Sequence, residues 1–544
     1  MKPYCLLFLG MTLSMPPAFA DTYPRQPGVD AQHYIFRLTL RDDTDEISGE
    51  ATAVLLFVKE GVTQFALDLA SPVNGKGMNV SEVTSGGGSP VLHSHTGDRL
   101  VISPAIPPKA GERRQFTVRY HGVPNSFTPA AGLRIGTNKF GERTFFSLNW
   151  PDRARQWLPI IDHPYDKATS EFWITAPAKY QVVANGLLEE ETDLGDGNRL
   201  THWKQSVPIA SWLNAIGVAQ FASRHFGTAA GVPLETWVFH QDRDPGIVTF
   251  EVPTRQAIEF YSDHVGRYPY EKLAAVEAAG LGGGTEHASA IFYGQASVTN
   301  RPATGLVAHE IAHQWFGDSI TEKDWDDVWL SEGFATYFTL LSTEQYEGRD
   351  AFVAGLKRSR DRVLAIEKQN PGMAVLHNNL SDMSKVLNQI VYQKGAWVLH
   401  MLRAEIGTEK FWAGIRDYYR RYRDSSASTA DFRAVMEEDS GMDLGWLFDQ
   451  WLRRPGSPVV EGTWRYNPGS QKVEVDLAQT QPGDAYRLPL EVGVSVDGAR
   501  QPKIEKLVLA EKRRRFEIAA GKEPEAVVLD PNTWVLMTAK FDKR

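Results

Sequence analysis

The sequence predicts a multidomain α+β protein with an N-terminal antiparallel β-domain, a central mainly α domain and a C-terminal β-sandwich. Three observations predict it. The 544 residues exceed one domain of typical size. Runs at strand period, punctuated by Gly and Pro, fill the chain to about Phe226 and return after Pro458. Between them, apolar residues recur at helical spacing. The expected division is a targeting segment over 1–20, the β-domain over 21–226, the helical domain over 227–455 and the sandwich over 456–544.

The first twenty residues read as an export leader. Lys2 gives the positive start, Leu6, Leu7, Phe8, Leu9 and Leu13 the apolar run, and Ala18-Phe19-Ala20 the small-x-small cleavage pattern. Cleavage after Ala20 would begin the mature chain at Asp21 and remove Cys5, the one cysteine of the sequence. The apolar run falls short of the ~20 residues that a membrane span needs, and Pro16-Pro17 breaks it. A cysteine-free mature chain cannot mispair in an oxidising compartment, so a periplasmic or secreted location is expected, with no integral membrane segment after cleavage.

In the β-domain, strands are expected over 34–40, 50–57 and 114–120, where side chains alternate. Gly86-Gly87-Gly88 and the stretch 104–108 supply turns. The aromatics of 145–157 are assigned to the core rather than to a cleft. Helical patterns take over near Pro253, with a helix expected over 254–265 and a strand over 272–277. A Gly-rich loop, 280–284, then leads into Thr285-Glu286-His287. Gly280-Leu281-Gly282 starts like a dinucleotide fingerprint, but no G-K-[S/T] comes after it and no helix opens there. The glycines are instead read as backbone that approaches a substrate closely. Further helices are expected over 304–316, 331–347, 351–368, 386–406 and 408–422, then one capped by Ser428 or Thr429, and a last over 444–452. Arg453-Arg454-Pro455-Gly456 breaks the pattern, and 472–477, 490–496 and 525–529 read as strands of the sandwich.

Composition narrows the function. Hydrophobic residues make up 42% and charged residues 23%, which is ordinary for a soluble globular chain. A formal net charge of -9 argues against a nucleic-acid-binding surface.

The chemistry is concentrated between the helix over 304–316 and the start of the next helix near Ser331. His309-Glu310-Ile311-Ala312-His313 is H-E-x-x-H. Side chains four apart share a helix face, so His309 and His313 point at one ion while Glu310 is displaced round the helix. Polar groups in so apolar a helix need a buried partner or an ion. Glu332 comes after a gap of eighteen residues and is the natural third ligand. Two imidazoles, a carboxylate and one open position predict one catalytic zinc per chain. Zinc there would lower the pKa of a water toward ~7. Glu310 would take the proton as general base and pass it to the leaving nitrogen. The reaction class is amide hydrolysis, and its oxyanion needs a second electrophile. A neutral phenol would serve, and Tyr392 is one of several candidates. Glu286 could pair with a substrate's free α-amino group, although the residues alone favour a solvated loop glutamate.

The stretch from His309-Glu310-Ile311-Ala312-His313-Gln314-Trp315-Phe316-Gly317-Asp318 to Trp329-Leu330-Ser331-Glu332-Gly333-Phe334-Ala335 resembles the M1 family of zinc aminopeptidases, which are gluzincins. The resemblance covers nearly the whole mature chain. Residues 154–164 resemble part of that family's N-terminal β-domain, Val391-Tyr392-Gln393-Lys394-Gly395 its catalytic-tyrosine segment, and Phe448-Asp449-Gln450-Trp451-Leu452 the end of its thermolysin-like domain. It implies zinc ligands at His309, His313 and Glu332, the base at Glu310 and the transition-state donor at Tyr392. It also implies an exopeptidase loop of the form G-x-M-E-N, here Gly283-Gly284-Thr285-Glu286-His287. Glu286 is then the amine anchor, with Gly283, Gly284 and His287 beside it as substrate-binding positions. Thr285 and His287 stand where the family has Met and Asn. The chain resembles a short form without the large C-terminal helical domain of many members, so a less enclosed cleft is expected. The expected function is removal of N-terminal residues from peptide substrates. The altered loop makes a zinc endopeptidase, or one of atypical specificity, the alternative. A catalytically silent scaffold is a remoter reading, because ligands, base and tyrosine are all kept.

Overall fold

The computed structural model describes residues 21–125, 132–496 and 502–544. The expected leader and the bond after Ala20 involve residues outside this described set. Up to Phe221 the chain builds three sheets. The largest has seven strands, in the order Leu187–Asp193, Asn198–Ala210, Lys167–Pro177, Val29–Thr39, Ile47–Phe57, Glu112–Val123 and Gly77–Ser85. Its pairs are antiparallel except one: Val29–Thr39 runs parallel to Lys167–Pro177, with Phe36 opposite Phe172. The expectation of a purely antiparallel domain is corrected at that pair. Alternation puts Tyr34, Phe36 and Leu38 inward. They share a core with Leu100 and Ile102 of a three-stranded sheet and with Phe146 and Val218 of a four-stranded one.

The next sheet has five strands, Phe221–Ala229, Val232–Phe239, Leu273–Ala278, Ala290–Gly294 and Gly284–Thr285. The expected junction at 226/227 falls inside Phe221–Ala229, which is hydrogen-bonded to Val232–Phe239. The change of sheet therefore comes at Phe221. The two central strands are covered on both faces. Ala274, Val276, Ala290 and Phe292 pack into the N-terminal core. Leu273, Ala275, Ile291 and Tyr293 pack into a second core beneath the helices. Two apolar environments explain why the run lacks an apolar-polar alternation.

Helix α1 is Arg243–His264 and contains Pro253. It begins well before the expected 254, because Pro253 lies inside the helix rather than at its start. Proline has no N–H for the carbonyl four residues back, that of Thr249. That carbonyl accepts instead from the Ala303 N–H at 3.1 Å. Ala303 is the N-cap of α2, Thr304–His313, which carries the histidine pair. The gap in the hydrogen-bond ladder of α1 thus seats the start of α2. Helix α2 ends three residues before the expected 316, and Gly317 turns the chain at φ +118°. Beyond it lie helices α3 (Trp329–Glu347), α4 (Arg349–Gln369), α5 (Gln389–Ile406), α6 (Thr408–Tyr422) and α7 (Thr429–Ser440). Ser428 caps α7: its hydroxyl accepts from Asp431 N–H and its own N–H donates to the Asp431 carboxylate at 2.9 Å. Asn388 caps α5, accepting from the N–H groups of Ile390 and Val391.

Beyond Val459 lie a four-stranded and a three-stranded sheet. Val473 and Val475 of one and Leu490 and Val492 of the other share the second core. Among the described residues no helix is long and apolar enough to cross a membrane.

Candidate metal centre

Helices α2 and α3 bring the three expected ligands together. His309 and His313 lie one turn apart on α2, and Glu332 is in the first turn of α3. Their Nε2, Nε2 and Oε2 atoms form a triangle. The two nitrogens stand 3.2 Å apart, and the carboxylate oxygen is 3.5 Å from His309 and 3.4 Å from His313. Ligands placed tetrahedrally at ~2.1 Å from an ion stand ~3.4 Å apart, so the triangle fits zinc. Glu332 Oε2 is buried without a hydrogen-bond partner in the protein, and a cation would satisfy such an acceptor. The turn at Gly317 brings Ser331 against the histidine. Its hydroxyl lies 3.0 Å from His313 Nδ1, which is also 3.2 Å from the Phe316 carbonyl. A proton on Nδ1 directed at that carbonyl leaves the Nε2 lone pair facing the site.

Glu310 faces the same space from α2, and its carboxylate, that of Glu286 and His313 offer ligand atoms within 4.8 Å of one another. Burial raises the Glu310 carboxyl well above its ordinary range, and the neighbouring Glu286 charge adds to this. Gly284 lies directly against Glu310: a Cβ there would sit 2.4 Å from the Glu310 carboxyl carbon. The glycines of the loop thus permit close approach, to this side chain in the first place.

Glu286 is 7% exposed. The solvated-loop reading favoured by the residues alone is therefore corrected. Burial raises its carboxyl, His313 draws it down, and Glu332 raises it. Gln314, next after the histidine motif, pins this loop to α2. Its side-chain amide donates to the Glu286 carbonyl at 2.9 Å and to the Asp318 carboxylate at 2.7 Å. Its oxygen accepts from Ser289 N–H and Tyr268 O–H, each at 2.9 Å. The sequence signal for that role is a glutamine in the otherwise apolar run that follows the second histidine, just past the end of α2.

Tyr392 comes from α5, its ring stacked on His309 at 6.2 Å between centroids. A glycine pair lets α5 come this close to α3: a Cβ on Gly395 would lie 3.0 Å from the Gly333 Cα. Burial, then the Glu332 charge, raises the phenol well above its ordinary range, so it is a neutral donor.

These groups line one cavity of about 190 Å³, whose apolar wall includes Leu148, Trp150, Leu281 and Leu387. Phe145, Phe146 and Trp157 belong to the core, as expected. Trp150, assigned to the core with them, faces the cavity instead, as does its neighbour in the wall, Leu148. Gly284 and Glu286 line the cavity, whereas the expected substrate positions Gly283 and His287 do not. His287 is fully buried, 3.3 Å from the Ser147 carbonyl and edge-on to Phe292, and burial lowers its imidazole to about 4. The Gly283 carbonyl is taken by the Gly294 N–H at 2.7 Å. Both residues shape the wall from behind.

Two imidazoles, a carboxylate and a second buried glutamate beside them define a zinc centre of the metallopeptidase type. The comparisons agree. Residues 254–451 match the peptidase family M1 domain and residues 30–213 the peptidase M1 N-terminal domain. The chain belongs to the M1 peptidase family. It is 29% identical over 331 residues to glutamyl aminopeptidase of Bos taurus, covering 57% of this chain and 34% of that protein. It is 28% identical over 327 residues to aminopeptidase M1-B of Oryza sativa subsp. japonica, covering 56% and 36%. The chain thus spans about a third of the length of these curated relatives. Among solved structures, an M1 zinc metallopeptidase from Deinococcus radiodurans matches with a TM-score of 0.68 and 25% identity, over 80% of this chain and 95% of that one. A two-domain M1 zinc metallopeptidase bound to L-arginine matches with a TM-score of 0.69 and 25% identity, over 79% and 95%. His309, His313 and Glu332 are the residues that would hold such a zinc ion in this chain.

Proposed function

We propose that the protein is an exported aminopeptidase that hydrolyses the first peptide bond of peptide substrates. Glu286 carries this reading. It is a buried carboxylate presented to the cavity, with Glu310, His313 and Glu332 around it and, among the described residues, no ion pair to a lysine or arginine. A substrate's α-ammonium supplies the cation it lacks, as a charge-assisted hydrogen bond. In a peptide that nitrogen lies only ~2.5 Å from the carbonyl carbon of its own residue. An amine held at Glu286 therefore leaves the first carbonyl beside Glu310, His309 and His313.

Held by His309, His313 and Glu332, zinc supplies Lewis acidity to that carbonyl and to the attacking water. Glu310 takes the proton from the water and hands it to the departing nitrogen. Its proximity to Gly284 sets where the carboxylate stands. The Tyr392 O–H donates to the oxyanion as charge develops. Glu286 binds and orients, and Gln314 holds its backbone in place. The unit over 227–455 is read as thermolysin-like and that over 456–544 as a β-sandwich, supported by the helix order and by the two C-terminal sheets that share a core. Export is supported by the pattern of residues 1–20.

The deciding experiment compares free peptides with the same peptides acetylated at the N-terminus. Release of the first residue from free peptides alone is expected. Equal cleavage of both would overturn the amine-anchor role of Glu286 and favour an endopeptidase with the same residues at its centre.

A further inference from the structure

The start of the described chain docks into the helical unit before it enters any sheet. Asp21 is 6% exposed. Its backbone nitrogen donates to Asp324 Oδ1 at 2.8 Å. Its carboxylate accepts from His163 Nε2 at 2.8 Å and from the Trp325 N–H at 3.1 Å. Thr22 N–H donates to the Leu380 carbonyl at 3.2 Å, and the Tyr23 ring stacks on His163 at 4.6 Å. Arg25 lies 2.8 Å from Asp324 and 3.5 Å from Asp21.

The charges here do not balance. Two largely buried carboxylates share one guanidinium, and burial lowers the imidazole pKa of His163, which favours its neutral form. Burial, and after it the Asp21 charge, raises the Asp324 carboxyl, as expected where a cation is short. While residue 20 is attached, the Asp21 nitrogen is a neutral amide with one N–H. As a chain terminus it is an ammonium with three, already aimed at Asp324.

We infer that Asp324, with Asp21 and Arg25, forms a receptor for the chain's own α-ammonium at Asp21, filled only when residues 1–20 are removed. What it would lock is the approach to the metal centre. Asp324 Oδ1 also accepts from Asp326 N–H at 3.1 Å and so caps the turn Trp325–Asp327. The next residue, Val328, accepts from the Glu332 N–H at 3.2 Å. The Trp325 ring packs 5.4 Å from Trp150, on the cavity wall. Leader removal thereby adds a charge pair to the segment that presents the third zinc ligand.

The test uses the zinc-loaded chain beginning at Asp21 and the same chain with Gly-Ser ahead of Asp21, each with and without Asp324→Asn. The readouts are the thermal midpoint and the rate of zinc loss to a chelator. The extension is expected to lower the midpoint by several degrees and to speed zinc loss severalfold, and Asp324→Asn is expected to erase both differences. Equal behaviour of the two starts, or a difference that survives Asp324→Asn, would overturn the receptor. Should Asp324→Asn chains fail to fold, acetylation of the Asp21 α-amine decides: protection against the reagent is expected, and a rate equal to that of an unstructured peptide overturns the inference. The mass of the exported chain is a separate check. A start at Asp21 supports the processing step, and a start elsewhere removes it while leaving the pocket measurement intact.

Discussion

Gly284→Ala should disable the centre without emptying it. The methyl would meet the Glu310 carboxyl carbon and Oε1 at 2.4 Å and its Cγ at 2.5 Å, and these are the three atoms nearest to it. Carbon atoms in contact stand ~3.5–4.0 Å apart, so the carboxylate must retreat by about 1 Å. The backbone adds no difficulty, because Gly284 is not among the residues with positive φ. A reacting group misplaced by ~1 Å can cost ~10²-fold in rate. The expected outcome is a loss of that order in kcat/KM on an unblocked peptide, with zinc content unchanged because none of the nearest atoms belongs to a ligand. Gly282→Ala is the control, since a Cβ there meets nothing within 4 Å. If Gly284→Ala were as active as that control, the close approach would not be what positions Glu310.

Glu310→Gln should keep zinc bound and lower turnover by at least ~10²-fold; metal analysis beside a single-turnover assay checks both halves. Tyr392→Phe should lower kcat by ~10²–10³-fold, and a change confined to KM would refute a donor to the oxyanion. Lys394 is fully buried, donating to Glu367 at 2.9 Å and to the Gly456 carbonyl at 2.8 Å. Lys394→Met should cost ~3–5 kcal/mol in urea unfolding by stranding a buried carboxylate, and a near-neutral result would show that Glu367 finds another partner. At Asp21, burial pushes the carboxyl up, but His163 and the N–H groups of Tyr23 and Trp325 outweigh it and hold it at about 2 against an ordinary 3.8. A depressed carboxyl stabilises the fold above its unfolded value and loses that contribution as pH falls toward about 2. Asp21→Asn should therefore destabilise the protein near neutrality and flatten the acid limb of its stability curve, read by thermal melts across that window.

The ligand set was legible because its geometry is local: one helical turn relates His309 to His313, and a second helix begins just ahead of Glu332. Helices α3 to α7 were legible for the same reason. The position of Glu286 was not. Its burial depends on Gly284–Thr285 pairing with Phe292 and Tyr293, and on Gln314 reaching across from α2. Likewise, the aromatics of 145–157 do not reveal which of them meet the core and which the cavity, because the strand ends at Leu148 and the neighbouring sheet and helices decide the rest. The parallel pairing of Val29–Thr39 with Lys167–Pro177 leaves no trace in either strand's own pattern. Pro253 misled in the usual direction: a proline reads as a helix boundary unless a distant donor, here Ala303, takes up the freed carbonyl.

The five-stranded sheet also bears on how such a chain can be divided or recombined. Its central strands hand alternate side chains to different cores, so neither neighbour is a portable cassette. A fragment cut at 226/227 would split a hairpin and leave Ala274, Val276 and Phe292 without their cover. A chimera that borrows another N-terminal unit would have to join before Phe221 and bring a surface shaped for those three side chains. Ancestry and engineering alike are then expected to move the two units together, with the zinc centre inheriting its back wall from the domain that contributes none of its ligands.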